Sequence, residues 1–390
     1  MMEDLVRLRD TLFQNYTKDF RPAQNMSDPT YVTLEMYLVS ILDLDEVSGT
    51  ITLNCAVPMS WTDYRLVWNP SDYGGITSFV FNSSIFWKPR VYIITSSDDL
   101  SDFSFDAYDV RVFSNGRVTS SPGRHVKASC SVDMTNFPSD SQICVMQMMS
   151  WGLLANEMIF IAGRETIVLR FYKPNGEWDI DWTSVANNTK YGTSISVVDF
   201  TIHLTRHSAY FTVSMTMPVI LLCFLNPFVF LLPASSGERM SYTITIFLSL
   251  AVYMTIIGDN MPRISDPMAG ISYFLLVALL NSCILIVLTI FTLRCEAVND
   301  TQKFPGWLLR LVSWRQCQSV NSRNQVKNKK TIVHVEEVNA TNEITHHRDK
   351  AQEKTVSKED VMKFIDKYLF YSTLLAMIVT CVVFSLYYWL

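Results

Sequence analysis

Between Glu238 and Asp259 the chain carries side chains suited to passing ions rather than making or breaking bonds. Ser241, Thr245, Leu248, Val252 and Ile256 recur at spacings of three and four, so on a helix they share one face. Glu238 and Asp259 extend that face at its two ends. Hydroxyls can replace part of an ion's hydration, apolar side chains bar a wet path, and carboxylates concentrate cations. One reading is a helix packed by small polar residues. A pore wall also accounts for the acids, and it is the better reading. Covalent chemistry has nothing comparable. The six histidines (His125, His203, His207, His334, His346 and His347) form no zinc spacing. There is no phosphate-binding glycine loop and no nucleophile elbow. No enzyme, cofactor or metal centre is expected.

A pore helix needs a membrane, and the composition supplies the signs of one. Of 390 residues, 49% are hydrophobic and only 18% charged, against about 25% charged in soluble domains. Mean hydropathy is +0.16. The apolar residues are segregated: four uncharged stretches, 210–232, 240–257, 268–293 and 368–390, all follow residue 207. Each reaches the roughly 18 residues of a spanning segment, and a bilayer core forces each to be helical. Buried core helices would be the other reading, a poor one for four runs this long.

The first 207 residues have a different period. Val32-Thr33-Leu34-Glu35-Met36 and Phe200-Thr201-Ile202-His203-Leu204 alternate, as half-buried strands do. Turn signals recur at Ser48-Gly49, Asn69-Pro70, Gly74-Gly75, Asn115-Gly116 and Asn175-Gly176. Many short strands punctuated this way predict an antiparallel β-sandwich. Leu5, Leu8, Leu12 and Phe13 predict a short amphipathic helix before it. The expected organisation is a sandwich over 1–207, three spans within 208–293, a polar region over 294–367 and a fourth span over 368–390. In the polar region, 304–314 suggests an interfacial helix. Residues 316–355 lack periodicity and suggest partial disorder around a solvated basic cluster, Lys327, Lys329 and Lys330. Residues 353–367 suggest a polar helix running into the last span.

Charge sets the orientation. The sandwich holds 16 Lys and Arg against 24 Asp and Glu, a net of −8; residues 294–367 hold 14 against 10, a net of +4. Basic residues near span ends favour the cytoplasm, so four spans put both termini outside. Sequons at Asn15, Asn25, Asn82 and Asn187 lie in the sandwich and are the expected glycosylation sites; those at Asn299 and Asn339 fall on the cytosolic side. No signal-peptide pattern precedes the sandwich, so an exported domain is expected to have lost one by processing. Three cysteines lie outside: Cys55, Cys130 and Cys144. An oxidising compartment favours one pair. Cys130 with Cys144 closes a loop of thirteen residues, a closure worth about 3 kcal/mol. Cys55 is then left over, buried on a strand. The overall charge of −5 gives no support to nucleic-acid binding.

That loop reads Cys130-Ser-Val-Asp-Met-Thr-Asn-Phe-Pro-Ser-Asp-Ser-Gln-Ile-Cys144. A Cys-x13-Cys loop containing Phe-Pro-x-Asp resembles the signature of the Cys-loop receptors, the animal pentameric ligand-gated ion channels. Trp61-Thr-Asp63-Tyr-Arg-Leu-Val-Trp68, Trp87-Lys-Pro89 and Gly176-Glu-Trp178 resemble the family's sandwich. Pro218 in the first span and Leu232-Pro-Ala-Ser-Ser-Gly-Glu-Arg239 before the pore helix extend the resemblance over nearly the whole chain. The nicotinic and serotonin-type cation-channel branch is nearest.

The resemblance implies five-fold rings. Leu248 and Val252 would form a hydrophobic gate that blocks ions by dewetting, and Ser241 and Thr245 would line the narrow inner half. A Glu238 ring would select cations, because anion-conducting relatives usually show Pro-Ala-Arg there, while Arg239 would sit behind the pore wall. Coupling would run through Asp45, Glu46, Phe137, Pro138, Arg206 and Pro262, with Glu46 paired to Arg206 at the membrane surface. The agonist box departs from the family pattern. Trp151 fits its tryptophan, but Ile94 stands where a tyrosine is usual, with Tyr92 at the same strand parity. The capping loop near 181–195 offers Tyr191 and, at the second tyrosine position, Ile195. Ala56, Arg111, Thr119 and Ser121 are assigned to the facing surface. The sequence therefore predicts one subunit of a homo- or heteropentameric, agonist-gated, cation-selective channel. Its partners would be four further subunits, an unidentified small-molecule agonist, monovalent cations and membrane lipid. Its place would be the plasma membrane, multi-pass, and the resemblance implies synapses as one setting. The alternative is a non-conducting accessory subunit.

Overall fold

The computed structural model describes residues 2–100, 102–105, 108–188, 194–259, 261, 268–297 and 358–389. The chain divides into two compact units, Met1–Thr212 with Gly258–Gly270, and Val213–Ile257 with Ile271–Leu390. Tyr191, Pro262, the segment 304–314 and the Lys327, Lys329 and Lys330 cluster lie outside the described residues.

The first unit opens with α1 (Met2–Phe13), whose Leu8 is fully buried while Leu5, Leu12 and Phe13 pack beside it. Thirteen strands follow among the described residues. They are β1 (Thr30–Leu34), β2 (Tyr37–Asp45), β3 (Thr50–Ala56), β4 (Met59–Val67), β5 (Ser78–Asn82), β6 (Tyr92–Ile93) and β7 (Asp109–Phe113). After these come β8 (Asn115–Ser120), β9 (Gly123–Ser129), β10 (Ser141–Met149), β11 (Met158–Ala162), β12 (Trp178–Asn188) and β13 (Val197–Arg206). They form three sheets, ordered β11-β1-β4-β8-β7-β5, β12-β13-β10-β6 and β2-β3-β9. Pairing is antiparallel except between β1 and β11, where Val32 lies opposite Phe160. A long connection separates those two strands, which is what parallel pairing requires. The expected alternation holds: Val198, Phe200, Ile202 and Leu204 point into the core and the residues between them do not. Gly116, at φ +81°, starts β8 just past the turn from β7, where a Cβ would meet the Asp63 carbonyl oxygen at 2.8 Å.

The Trp61 to Trp68 stretch owes its role to a buried charge. Asp63 is fully buried. Arg65 donates to its two oxygens from Nε and a terminal nitrogen, at 2.8 Å each, and Tyr16 donates at 2.9 Å. Tyr16 also accepts from the Trp87 amide at 3.0 Å, and the Arg65 guanidinium lies 4.4 Å from the Tyr16 ring centre. Burial and the Asp63 charge push the Tyr16 phenol well above its ordinary value. Cys130 and Cys144 are joined by a disulfide, and Cys55 is a buried free thiol whose pKa burial pushes up to about 12.

Among the described residues, four helices are long and apolar enough to cross a membrane, and most of each lies in the second unit: α2 (Ala209–Leu231), α3 (Glu238–Asp259), α4 (Gly270–Ala297) and α5 (Lys358–Trp389). Two prolines make α2 irregular. Pro218 follows a π turn, Thr212–Thr216, and Pro227 sits in a 3₁₀ stretch, Asn226–Leu231. Each ring removes an amide donor and crowds the carbonyl four residues back, so regular winding cannot continue. The described part of the polar helix expected at 353–367 begins at Lys358 and is continuous with the last span in α5.

Candidate functional site

Three places gather the residues singled out by sequence. The first is the surface of α3. Glu238, Ser241, Thr245, Leu248, Val252, Ile256 and Asp259 are all exposed, while Arg239, Thr243, Ile246, Leu250 and Ile257 are buried. The helix thus turns one mixed face outward and packs with the other. The Thr245 hydroxyl donates to the Ser241 carbonyl at 2.8 Å and Ser249 donates to the Thr245 carbonyl at 2.9 Å. With the protons committed to the backbone, the hydroxyl oxygens keep lone pairs that can meet a cation.

Arg239, one residue from Glu238, has a side chain only 1% exposed. Its terminal nitrogens donate to both Asp366 oxygens at 2.8 and 2.6 Å, its Nε to the Leu232 carbonyl at 2.7 Å, and one nitrogen to Thr292 at 3.3 Å. The cation is neutralised by α5, leaving Glu238 as the exposed charge at the start of the helix. Gly237, at φ +74°, lets the chain turn into that start.

The second place is Arg206, at the end of β13. Its side chain is 1% exposed. Nε donates to Asp140 Oδ1 at 2.7 Å, and a terminal nitrogen donates to Glu46 at 2.5 Å and to Asp140 Oδ2 at 3.2 Å. The guanidinium carbon lies 4.2 Å from the Trp178 ring centre, 5.3 Å from Phe137 and 5.1 Å from Phe211. Burial opposes the arginine's charge, but the bonds to Asp140 and the field of Asp140 and Glu46 carry its pKa upward. Burial raises Glu46 despite the opposing pull of Arg206. The expected Glu46–Arg206 pair is therefore part of a buried cluster rather than an ordinary surface ion pair. Asp45 does a different job: its oxygens accept from Ser48 Oγ at 2.7 Å and from the Val47 and Ser48 amides at 2.9 and 3.1 Å, shaping the β2–β3 turn. Those bonds, led by the Ser48 hydroxyl, hold its pKa below the usual carboxylate range. Pro138 is buried and follows a cis peptide bond from Phe137.

The third place is an open recess of about 430 Å³ lined by Ile94, Met149, Ser150, Trp151, Gly152, Leu153, Leu154 and Ile195. It joins Ile94, Trp151 and Ile195, which stand far apart in sequence. Trp151 is 57% exposed, so it is not a core residue. Tyr92 pairs with Met149 between β6 and β10 and is not among the lining residues. The residues assigned to a facing surface lie elsewhere. Arg111 and Thr119 are direct cross-strand partners on β7 and β8, Ser121 follows β8, and Ala56 ends β3 opposite Gly123. The sequon residues Asn15, Asn25, Asn82 and Asn187 are all exposed.

Sequence reasoning missed Asp140, Trp178 and Asp366 as members of these clusters. The first two stand inside quoted motifs, Phe-Pro-x-Asp and Gly-Glu-Trp, and could have been read from them. Asp366 sits in a polar stretch with no motif to mark it.

The first unit matches the family model of the neurotransmitter-gated ion-channel ligand binding domain over residues 5–208. The neurotransmitter-gated ion-channel transmembrane region matches residues 215–331. Among curated proteins, the chain is 29% identical over 308 residues to the neuronal acetylcholine receptor subunit alpha-3 of Homo sapiens, covering 77% of this chain and 61% of the relative. It is 30% identical over 311 residues to the neuronal acetylcholine receptor subunit alpha-4 of Mustela putorius furo, covering 78% and 49%. To the acetylcholine receptor subunit alpha of Danio rerio it is 30% identical over 317 residues, covering 79% and 69%. The matched stretch thus spans between about half and two thirds of these relatives' lengths.

Proposed function

Because the chain belongs to the neurotransmitter-gated ion channels, a family of receptors and not of enzymes, we propose that it is one subunit of a pentameric, agonist-gated, cation-selective channel in the plasma membrane. One observation carries the cation pathway: the outward face of α3, with hydroxyls at one end, Leu248 and Val252 farther along, and carboxylates at both ends. Five such faces around an axis make a ring of Glu238 carboxylates at a narrow mouth. They make hydroxyl rings at Ser241 and Thr245, and apolar rings that exclude water until the pore opens. The neutralisation of Arg239 by Asp366 supports cation selectivity, since of the two charged residues in the first turn of α3 it is Glu238 that is exposed.

Agonist binding in the sandwich reaches the pore through the buried Arg206 cluster, which ties the β2–β3 turn, the disulfide loop and the end of β13 together. Both termini face outward, with glycans on the exposed sequons. The intact pore face argues against an accessory, non-conducting role. Imaging of the purified chain expressed alone, paired with current recording, tests the reading. Five-fold particles and agonist-evoked cation currents are expected. A folded chain that assembles only with other subunits, and adds no permeation of its own, would overturn it.

A further inference from the structure

Arg239 carries a charge sealed from water one residue away from Glu238. The residue is fully buried and its side chain is 1% exposed. The cations on neighbouring turns of α4 and α5, Arg294, Lys363 and Lys367, are exposed, and salt screens such charges beyond about 8 Å. A buried charge is screened much less. The field of Arg239 therefore reaches an ion beside the Glu238 carboxylate unless a countercharge inside the protein cancels it.

Asp366 is that countercharge. Its two oxygens accept from Arg239 at 2.8 and 2.6 Å. Among the described residues it is the only carboxylate bonded to this guanidinium; the other partners, the Leu232 carbonyl and the Thr292 hydroxyl, are neutral. Arg206, by contrast, holds two carboxylates, Asp140 and Glu46. The packing of the first turns of α5 places Asp366. Val361, Met362 and Ile365 are buried beside Ala234 and Cys295, and Lys358 donates to the Glu296 carbonyl at 2.5 Å. With Ile365 fixed in that core, the next residue meets the arginine at the start of α3. Glu238, Arg239 and Asp366 together leave one negative charge per subunit. Without Asp366, Glu238 and Arg239 cancel.

We propose that Asp366 is a positioning residue for ion selectivity: from a helix outside the pore face, it preserves the cation preference of the Glu238 ring by neutralising Arg239 and holding it against α5. The proposal rests on the channel reading and extends the selectivity determinant from α3 to α5.

Reversal potentials of the full chain in sodium chloride gradients test it. Asp366→Asn keeps the size and one acceptor but removes the charge. The cation-over-anion permeability ratio should fall by about tenfold or more, the order expected for one uncompensated charge about 10 Å from an ion at an effective dielectric of about 20. Asp366→Glu should keep the ratio. The Arg239→Gln, Asp366→Asn double variant should recover it, because removing both charges returns the balance to Glu238. A merely structural role would lower surface expression without moving the potential, and removing the second partner would not repair it. Glu359→Gln, which removes an acid 81% exposed on the same helix, should leave the ratio unchanged. An unmoved potential in conducting Asp366→Asn channels, or an equal shift from Glu359→Gln, overturns the proposal. Should Asp366→Asn fail to fold, the double variant still decides: loss of cation selectivity there overturns the proposal, since neither charge of the pair is then present. A conducting chain that fails these tests refutes the role of Asp366 alone, whereas an assembled chain that never conducts overturns the channel reading and this role together.

Discussion

Asp140→Asn isolates the charge of the most deeply buried partner of Arg206. Both side chains are 1% exposed, so the bulk solvent that would compensate a surface pair is absent. The variant keeps the shape and one acceptor but leaves the guanidinium with less than the two carboxylate contacts it makes at 2.7 and 3.2 Å. It also disturbs the bond of 2.6 Å that Gln142 donates to Asp140. Removing one partner of a buried pair costs about 3–5 kcal/mol. Glu46 remains, 18% exposed and bonded to Arg206, which places the loss near the lower end, about 3 kcal/mol. For a unit of this size each kcal/mol lowers the melting temperature by about 2–4 °C, so a fall of roughly 6–12 °C is expected. Thermal unfolding of the detergent-solubilised full chain, followed by size exclusion, measures it. Glu35→Gln is the control. Its pair with Arg164 has side chains 25% and 55% exposed, and exposed pairs are worth about 0–1 kcal/mol. A fall below about 2 °C for Asp140→Asn, or equal falls for the two variants, would refute the argument from burial.

Glu238→Ala should move the reversal potential in a sodium chloride gradient toward the chloride value, and Asp259→Ala should do so less; an unmoved potential in an open channel would leave Glu238 merely a favourable charge at a helix start. Leu248→Thr should wet the apolar ring and give leak current without agonist, and an unchanged resting conductance counts against the gate. His207 is hydrogen-bonded to Asp179, which raises its pKa above the ordinary value of 6.5. The bound proton therefore stabilises the fold below about pH 6.5, and that contribution is lost as pH rises through the raised value. Melting temperatures taken at pH 6 and above pH 8 should converge for His207→Gln relative to the unaltered chain, and equal differences in the two proteins would falsify the assignment.

What the sequence disclosed depended on how local the signal was. Period and hydropathy made the strand at 200–204 and the four apolar helices readable, because both follow from which residues must leave water. The face of α3 was equally readable, since a helix fixes which residues neighbour each other. Pairings between distant segments were not. Nothing in the β1 and β11 sequences announces their parallel register, which the rest of the sheet imposes. The Arg239–Asp366 pair joins residues 127 positions apart, and Asp366 has neighbours typical of any solvated helix. The recess lay between these extremes. Trp151 marked its place, but the convergence of Ile94 and Ile195 on it exists only once distant segments of the sandwich are folded.

The clamp on Arg239 also fixes how α3 can turn. Consecutive residues on a helix project about 100° apart, so the arginine and Glu238 point in quite different directions from nearly the same height. Any rotation of α3 about its own axis that carried the arginine toward the lumen would have to break its double bond to Asp366 and its bond to the Leu232 carbonyl. The lower end of α3 therefore behaves as a hinge pin: free to rock, costly to spin. In the proposed pore this restraint would favour widening by tilting about that end, with the largest displacement high on the helix, near Val252 and Ile256.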